Sequence, residues 1–200
     1  MSTSGPFMNY WKTFFDNLET ICSIPTEEKE KAMSYMKEVK LKKGAYFGKF
    51  DEMNDDFAII VKGLIKEYYL KSNGQEYIKG FRKEGQTTGH YRSIVLKEKS
   101  KMNIECMEDC IFYVAKYKDY EKLLDGHICW YKITKYLDDK EFFIKEDREY
   151  QFLMYKAENR YELFQKEHSD LMTRIPQNQI AMYLGIDPSS LNRILAKKKA

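Results

Sequence analysis

"IPQNQIAMYLGIDPSSLNRILAKKKA", residues 175–200, decides how the chain is read. Counted from Gln177, apolar side chains fall at the fourth (Ile180), eighth (Leu184), tenth (Ile186), fifteenth (Leu191) and eighteenth (Ile194) positions, with Ala181 at the fifth and Gly185 at the ninth. This is helix-turn-helix spacing, and each position has a physical reason. A small Ala181 lets two helices approach closely, Gly185 can take the left-handed conformation that ends the first, and Ile180, Leu184, Leu191 and Ile194 form a shared core. The second helix opens on "DPSS", with Asp187 placed as N-cap and Pro188 at the first helical position, where a missing N–H costs nothing.

A helix presented this way enters the major groove of double-stranded DNA with its N-terminal residues at base edges. The outward positions Ser189, Ser190, Asn192 and Arg193 are the candidate base readers. Arg193 leads them, because its planar fork can donate two hydrogen bonds to the O6 and N7 of guanine. Arg174, Gln177, Asn178, Lys197 and Lys198 are expected on the phosphate backbone, which supplies affinity without sequence information.

Charge points the same way. The formal net charge is only +3, but residues 171–200 carry Arg174, Arg193, Lys197, Lys198 and Lys199 against the single acid Asp187, so the first 170 residues carry about −1. A basic end is where a polyanion would be met. A hydrophobic content of 43% is ample for a core, and no apolar run is long enough to span a bilayer, so a cytoplasmic protein without membrane contact is expected. The four cysteines (Cys22, Cys106, Cys110, Cys129) lack metal-ligand spacing and read as reduced, buried, small apolar residues.

Upstream of the corner the texture changes twice. Residues 8 to about 38 read as helices, with Thr26 placed to cap the second. From Lys40 to about Tyr117 come short β-rich runs, "FAIIVKG", "LIKEYYLK", "QEYIKGFRK", "RSIVL", "MNIECM" and "CIFYVAKY", punctuated by turn residues such as Asn73-Gly74. Strands at such spacing argue for an antiparallel sandwich or barrel. After Tyr117, "KDYEKLL" is a short helix, and the stretch from His127 to about His168 holds no Gly or Pro, giving one extended helix or two with a bend. Trp130, Ile133, Leu137 and Ile144 make one apolar stripe, and Tyr150, Met154, Ala157, Tyr161 and Phe164 another that is out of phase with it. The first stripe suits a second copy of the chain, or both face the sandwich.

The order of these parts, together with "RYELF…RIP…IAMYLGI…SLNRI", resembles the Crp/Fnr family of bacterial transcription regulators over roughly residues 38–200. The resemblance implies an α+β chain: a cyclic-nucleotide-binding-like antiparallel jelly-roll sensor with N-terminal helices (1–126), a long dimerisation helix (127–151) and a small all-α helix-turn-helix domain (152–200). It further implies a homodimer on near-palindromic DNA, with RNA polymerase as a further partner, and it matches Arg193 to the family's base-contacting arginine. Ser189 falls where many members have a glutamate. Members that bind cyclic AMP carry Gly-Glu for the ribose and, about ten residues on, an arginine triplet for the phosphate. Here Gly89-His90 replaces the first, and Ser100-Lys101-Met102 stands in place of the second. Neither Ser100, Lys101 nor Arg92 reproduces the arginine fork, so cyclic AMP is not expected and no cofactor is predicted, the effector being unknown. Iron–sulfur sensing is not expected either, since Cys22 stands alone, and a lone His90 is weighed as a haem or metal ligand against a structural role.

Two other function classes remain on the table. One is a sensing or protein-interaction module whose corner no longer reads DNA. The other, an enzyme, has no support: no paired carboxylates, nucleophile motif or phosphate loop occurs, and His90, His127 and His168 lie far apart in sequence. No catalytic residue and no metal site are assigned.

Overall fold

The computed structural model describes residues 6–199, with side chains over residues 10–197. Two helices, α1 (Pro6–Glu19) and α2 (Thr26–Tyr35), lead into eight strands: β1 (Lys37–Leu41), β2 (Tyr46–Gly48), β3 (Asp56–Lys62), β4 (Ile65–Leu70), β5 (Glu76–Arg82), β6 (Thr87–Gly89), β7 (Asn103–Cys106) and β8 (Cys110–Lys116). They form two four-stranded antiparallel sheets, ordered β1-β8-β3-β6 and β2-β7-β4-β5, the jelly roll expected from the resemblance. Between the sheets lie Ala58, Ile60, Ile65, Ile104, Cys106, Cys110 and Phe112. The Asn73-Gly74 turn joins β4 to β5. Only Gly74 takes a positive φ there (82°), while the Asn73 side chain accepts from the Gln75 N–H at 3.1 Å.

Two local readings change. "RSIVL" is not a strand but part of a short helix, α3 (Tyr91–Leu96), which buries Ser93 and Ile94 and closes on left-handed Lys97 at φ 53°. A five-residue apolar run has too few periods to separate strand from helix. Thr26 is the first residue of α2 rather than its cap; Pro25 holds the cap position.

Helices occupy the rest: α4 (Tyr117–Leu124), α5 (Ile128–Met154), α6 (Ala157–Glu167), a single 3-10 turn (Ser169–Leu171), α7 (Gln177–Leu184) and α8 (Pro188–Lys199). The long stretch is therefore two helices, parted at Tyr155, whose backbone is extended. The first stripe lies against its own chain: Trp130 and Ile133 are buried and Leu137 half-buried in a cluster with Phe15, Leu18, Ile24, Ala32 and Leu123 from α1, the loop after it, α2 and α4. Trp130 also donates to Glu28 at 2.7 Å. Ile144 stays half exposed. The second stripe divides, with Tyr150 and Met154 exposed and Tyr161 and Phe164 buried.

One core crosses from the roll to the C-terminal helices. Leu64, Tyr68, Ile78 and Phe81, on the outer face of β4 and β5, pack in the same cluster as Tyr161, Phe164, Leu171, Ile175, Ile180, Ala181, Leu184, Leu191 and Ile194. This explains why β4 buries four successive residues, Ile65 to Tyr68, instead of alternating: each face of the strand is covered.

Candidate nucleic-acid interface and sensor cassette

The corner is built as its spacing requires. Ala181 is 0% exposed, and Gly185 takes φ 70° and ends α7. The Asp187 carbonyl accepts from the Ser190 and Leu191 N–H groups at 2.9 and 3.2 Å, starting α8. Leu191 and Ile194 point inward, which turns Ser189, Asn192 and Arg193 to solvent and leaves Ser190 half-buried. Arg193 donates to Ser190 Oγ at 3.0 Å, so its guanidinium rests over the first turn of α8. Gln177 and Asn178 are exposed at the start of α7, and exposed Lys197 pairs with Glu158 at 3.1 Å. The Lys198 side chain lies outside the described residues.

Arg174 stands elsewhere. It is turned away from the other candidates and forked between two carboxylates of the roll, on Glu84 at 2.9 and 3.0 Å and on Glu108 at 2.7 and 2.9 Å. In this arrangement Arg174 joins the corner to the roll. Burial would raise the Glu84 carboxyl, yet the Arg174 hydrogen bonds, two backbone N–H groups and the Arg174 charge together hold that group below its ordinary range. Lys83 pairs with Asp170 nearby.

Two further arginines, which the sequence reading passed over, tie the same joint. Arg148 of α5 donates to the Ile78 carbonyl of β5 and to the Tyr183 carbonyl of α7, both at 2.9 Å, with its guanidinium 3.8 Å from the Tyr183 ring centre. Arg160 of α6 donates to Tyr155 and Leu184 carbonyls at 2.6 and 3.0 Å. A signal existed for Arg148: at helical spacing it falls on the face that carries Trp130, Ile133 and Leu137, where a charge needs an internal partner.

In the cassette, Gly89 ends β6, and His90 and Ser100 are both buried and hydrogen-bonded to each other through His90 Nδ1 and Ser100 Oγ. Ser100 Oγ also donates to the Met102 carbonyl at 2.9 Å. The far side of the imidazole abuts Gly48, where an added Cβ would fall 2.0 Å from Nε2. Burial lowers the His90 pKa, partly offset by Glu67, so the ring is held neutral. Lys101 is exposed, and Arg92, also exposed, pairs with Glu98. The cations that do reach the interior are taken: buried Glu67 accepts from Lys79 at 2.8 Å and Thr88 at 2.9 Å and pairs with Arg82, which in turn pairs with Glu141 of α5.

Residues 38–127 match the family model of the cyclic nucleotide-binding domain. Across the chain, the solved structure of the regulator CLP of Xanthomonas campestris, described as responsive to c-di-GMP, superposes with a TM-score of 0.72 at 11% identity, covering 88% of this chain and 92% of that one. FixK2 from Bradyrhizobium japonicum gives 0.71 at 18% identity, covering 81% and 83%. A candidate transcriptional regulator of the Crp/Fnr family from Eubacterium rectale gives 0.70 at 17% identity, covering 96% and 88%.

The fold of the chain is the one that these solved structures share. No curated protein sequence matches it significantly. Identities this low speak of fold, so what the corner and the cassette do in this chain rests on their own residues. Among the described residues, no helix is long and apolar enough to cross a membrane.

Proposed function

We propose that the chain is a homodimeric, sequence-specific DNA-binding transcription regulator of Crp/Fnr type, reading a near-palindromic site through α8. The observation that carries this reading is the corner itself. Its apolar positions are spent on packing, while Ser189, Asn192 and Arg193 stay exposed on the helix that such a corner presents to the major groove. Gln177, Asn178 and Lys197 lie at helix termini around it, suited to phosphates.

A second copy of the chain is the partner that α5 calls for. At about 100° per residue, Ile128, Tyr131, Tyr136, Phe142, Phe143, Tyr150, Leu153 and Met154 fall within an arc of about 140°, and all eight are exposed. Lys132, Lys135, Asp139, Glu146 and Glu149 share the arc, and the packed seam is on the opposite side. Paired α5 helices would set two copies of α8 about 34 Å apart, one turn of duplex.

The cassette residues do not fit a cyclic nucleotide. A cyclic phosphate needs a buried cation making directed hydrogen bonds. Here the corresponding position holds Ser100, spent on His90 and Met102, while Lys101 is in solvent. The regulator is read as independent of cyclic AMP.

Selection from a random duplex library tests the reading, repeated with Arg193→Ala. An enriched palindrome is expected, with a loss of about 1–3 kcal/mol for the variant and relaxed preference at one base pair in each half-site. Binding without an enriched site, or unchanged in the variant, overturns it in favour of a module that does not read sequence.

A further inference from the structure

Between the start of α6 and α8 lies a cavity of about 370 Å³, open to solvent, whose polar lining is Lys156, Glu158, Ser190, Arg193 and Lys197. Three cations share it with a single carboxylate. The sequence sets this up on two helices. Lys156 holds the cap position of α6 and Glu158 its first turn, while Ser190, Arg193 and Lys197 recur at intervals of three and four on α8, which puts them on one side of that helix. Within the cavity Arg193 donates to Ser190 Oγ at 3.0 Å, and Lys197 donates to Glu158 Oε1 at 3.1 Å. The Lys197 and Glu158 side chains are 75% and 49% exposed, so the pair is screened by water and adds little to folding. Lys156 is exposed and has no carboxylate against it among the described residues. The unpaired N–H groups of the first turn of α6, and the positive end of its dipole, add to the pull on an anion there.

We propose that this cavity seats one phosphate of the DNA backbone between Lys156 and Lys197, and that Glu158 holds the seat in the free protein as a built-in competitor. This rests on the reading of α8 as the helix that enters the groove. A carboxylate oxygen and a phosphate oxygen make the same charge-assisted hydrogen bond to an ammonium, so the two anions exchange at Lys197 without new geometry. The exchange has a cost, because the displaced Glu158 carboxylate stays beside the incoming phosphate and repels it. Backbone contact supplies essentially all affinity for DNA outside a specific site. Glu158 therefore holds down that affinity whatever the sequence, while leaving the hydrogen-bonding edges of the bases to Asn192 and Arg193. Since phosphate contacts fix the register of a helix on the duplex, and Arg193 borders the same cavity, the seat also sets how α8 lies in the groove.

The test is the affinity of the full-length chain for a labelled duplex of mixed sequence, about 30 base pairs long, followed by fluorescence anisotropy from about 50 to 200 mM salt. Glu158→Gln is expected to tighten binding about fivefold and to steepen the slope of log affinity against log salt by about one, as Lys197 is released to the backbone. Lys156→Gln and Lys197→Gln should each weaken binding and flatten the slope by about one. In the Lys197→Gln background the gain from Glu158→Gln should shrink to about twofold or less, the signature of two groups acting on one seat. Urea midpoints of all variants separate folding from binding. Glu158 also complements the α6 dipole, and a purely structural role would lower the urea midpoint of Glu158→Gln and leave its salt slope where it was; that result, or an unchanged slope in Lys156→Gln, overturns the proposal. If the unmodified chain and every variant fail to bind the duplex at the lowest salt, the reading of α8 itself falls and the seat with it. If the unmodified chain binds and the substitutions leave its slope alone, only the seat falls.

Discussion

Replacing Arg174 with alanine tests whether this side chain joins two parts of the molecule or waits for DNA. The guanidinium makes four hydrogen bonds to two carboxylates, and the side chains of Arg174, Glu84 and Glu108 are 26%, 38% and 36% exposed. Fully exposed ion pairs are worth about 0–1 kcal/mol, and hydrogen bonds to charged groups inside a protein about 1.5–3 kcal/mol. A half-screened, doubly forked arginine falls between, at about 1 kcal/mol for each carboxylate. Arg174→Ala is therefore expected to weaken docking by about 2 kcal/mol, and at about 1.4 kcal/mol per tenfold this is about a 30-fold gain in the undocked population. Native-state hydrogen exchange over α6 and α7 measures it, with exchange in β3 and β8 as the internal reference. Salt at 1 M should shrink the difference, since the pairs are part-exposed. A change below twofold in α6 and α7, or an equal rise in β3 and β8, would refute the clamp.

Three other outcomes follow from the geometry. Gly48→Ala should cost about 1–3 kcal/mol by urea titration, since its Cβ would sit 2.0 Å from His90 Nε2 with Ser100 holding the ring from behind; a neutral substitution would mean that the pair moves freely. Burial lowers the pKa of both His90 and His168, so the folded state binds fewer protons than the unfolded chain below the ordinary histidine value of about 6.5. Stability is then held above that pH and lost as pH falls from about 6.5 through the folded pKa values; urea midpoints between pH 5 and 8 should show it, and His168→Gln should flatten the slope. Phe143→Lys, on the exposed face of α5, should give monomers of unchanged helicity in sedimentation; a wild-type chain already monomeric at micromolar concentration would contradict the paired-helix reading.

What the sequence disclosed depended on how local the signal was. The corner was fully legible because Ala181, Gly185, Asp187 and Pro188 each answer a requirement set within a few residues. The strands were legible where runs were long, and failed at "RSIVL", whose five residues fold as part of α3. The cassette was legible only as a departure: Gly89-His90 and Ser100 could be seen not to match, but not that His90 and Ser100 would bind each other, since ten residues separate them. The partners of Arg174 were hidden for a related reason. An arginine preceding a helix-turn-helix reads as a phosphate contact until the fold brings Glu84 and Glu108 to it from 90 and 66 residues away. The apolar stripe on α5 could likewise be given either to a partner copy or to the chain itself, because a long amphipathic helix with apolar residues on both faces gives no sign of which face meets which neighbour; Trp130 and Ile133 pack on the N-terminal helices.

The way α5 is held bears on how the roll reaches the corner. A helix of 27 residues without Gly or Pro is a stiff rod about 40 Å long. It is held at its start by the N-terminal helices through Trp130 and Ile133, at its middle by Glu141 on Arg82, and near its end by Arg148 on β5 and α7. Glu141 leads inward through Arg82 to Glu67, whose charge is felt by His90. A change at the cassette therefore has two physical routes outward: along α5, and directly across β4 and β5 into α7. The direct route is the more apolar of the two. It is made of buried apolar contact, Leu64, Tyr68, Ile78 and Phe81 against Ile180, Ala181 and Leu184, and packed surfaces of that kind shift between discrete arrangements rather than deforming smoothly. The route along α5 reaches the corner through Arg148, and through Phe152, whose ring lies against Gly185. In this chain the corner packs on its own roll through buried apolar contact and meets the long helix at Arg148 and Phe152, while the exposed apolar face of α5 points away from both.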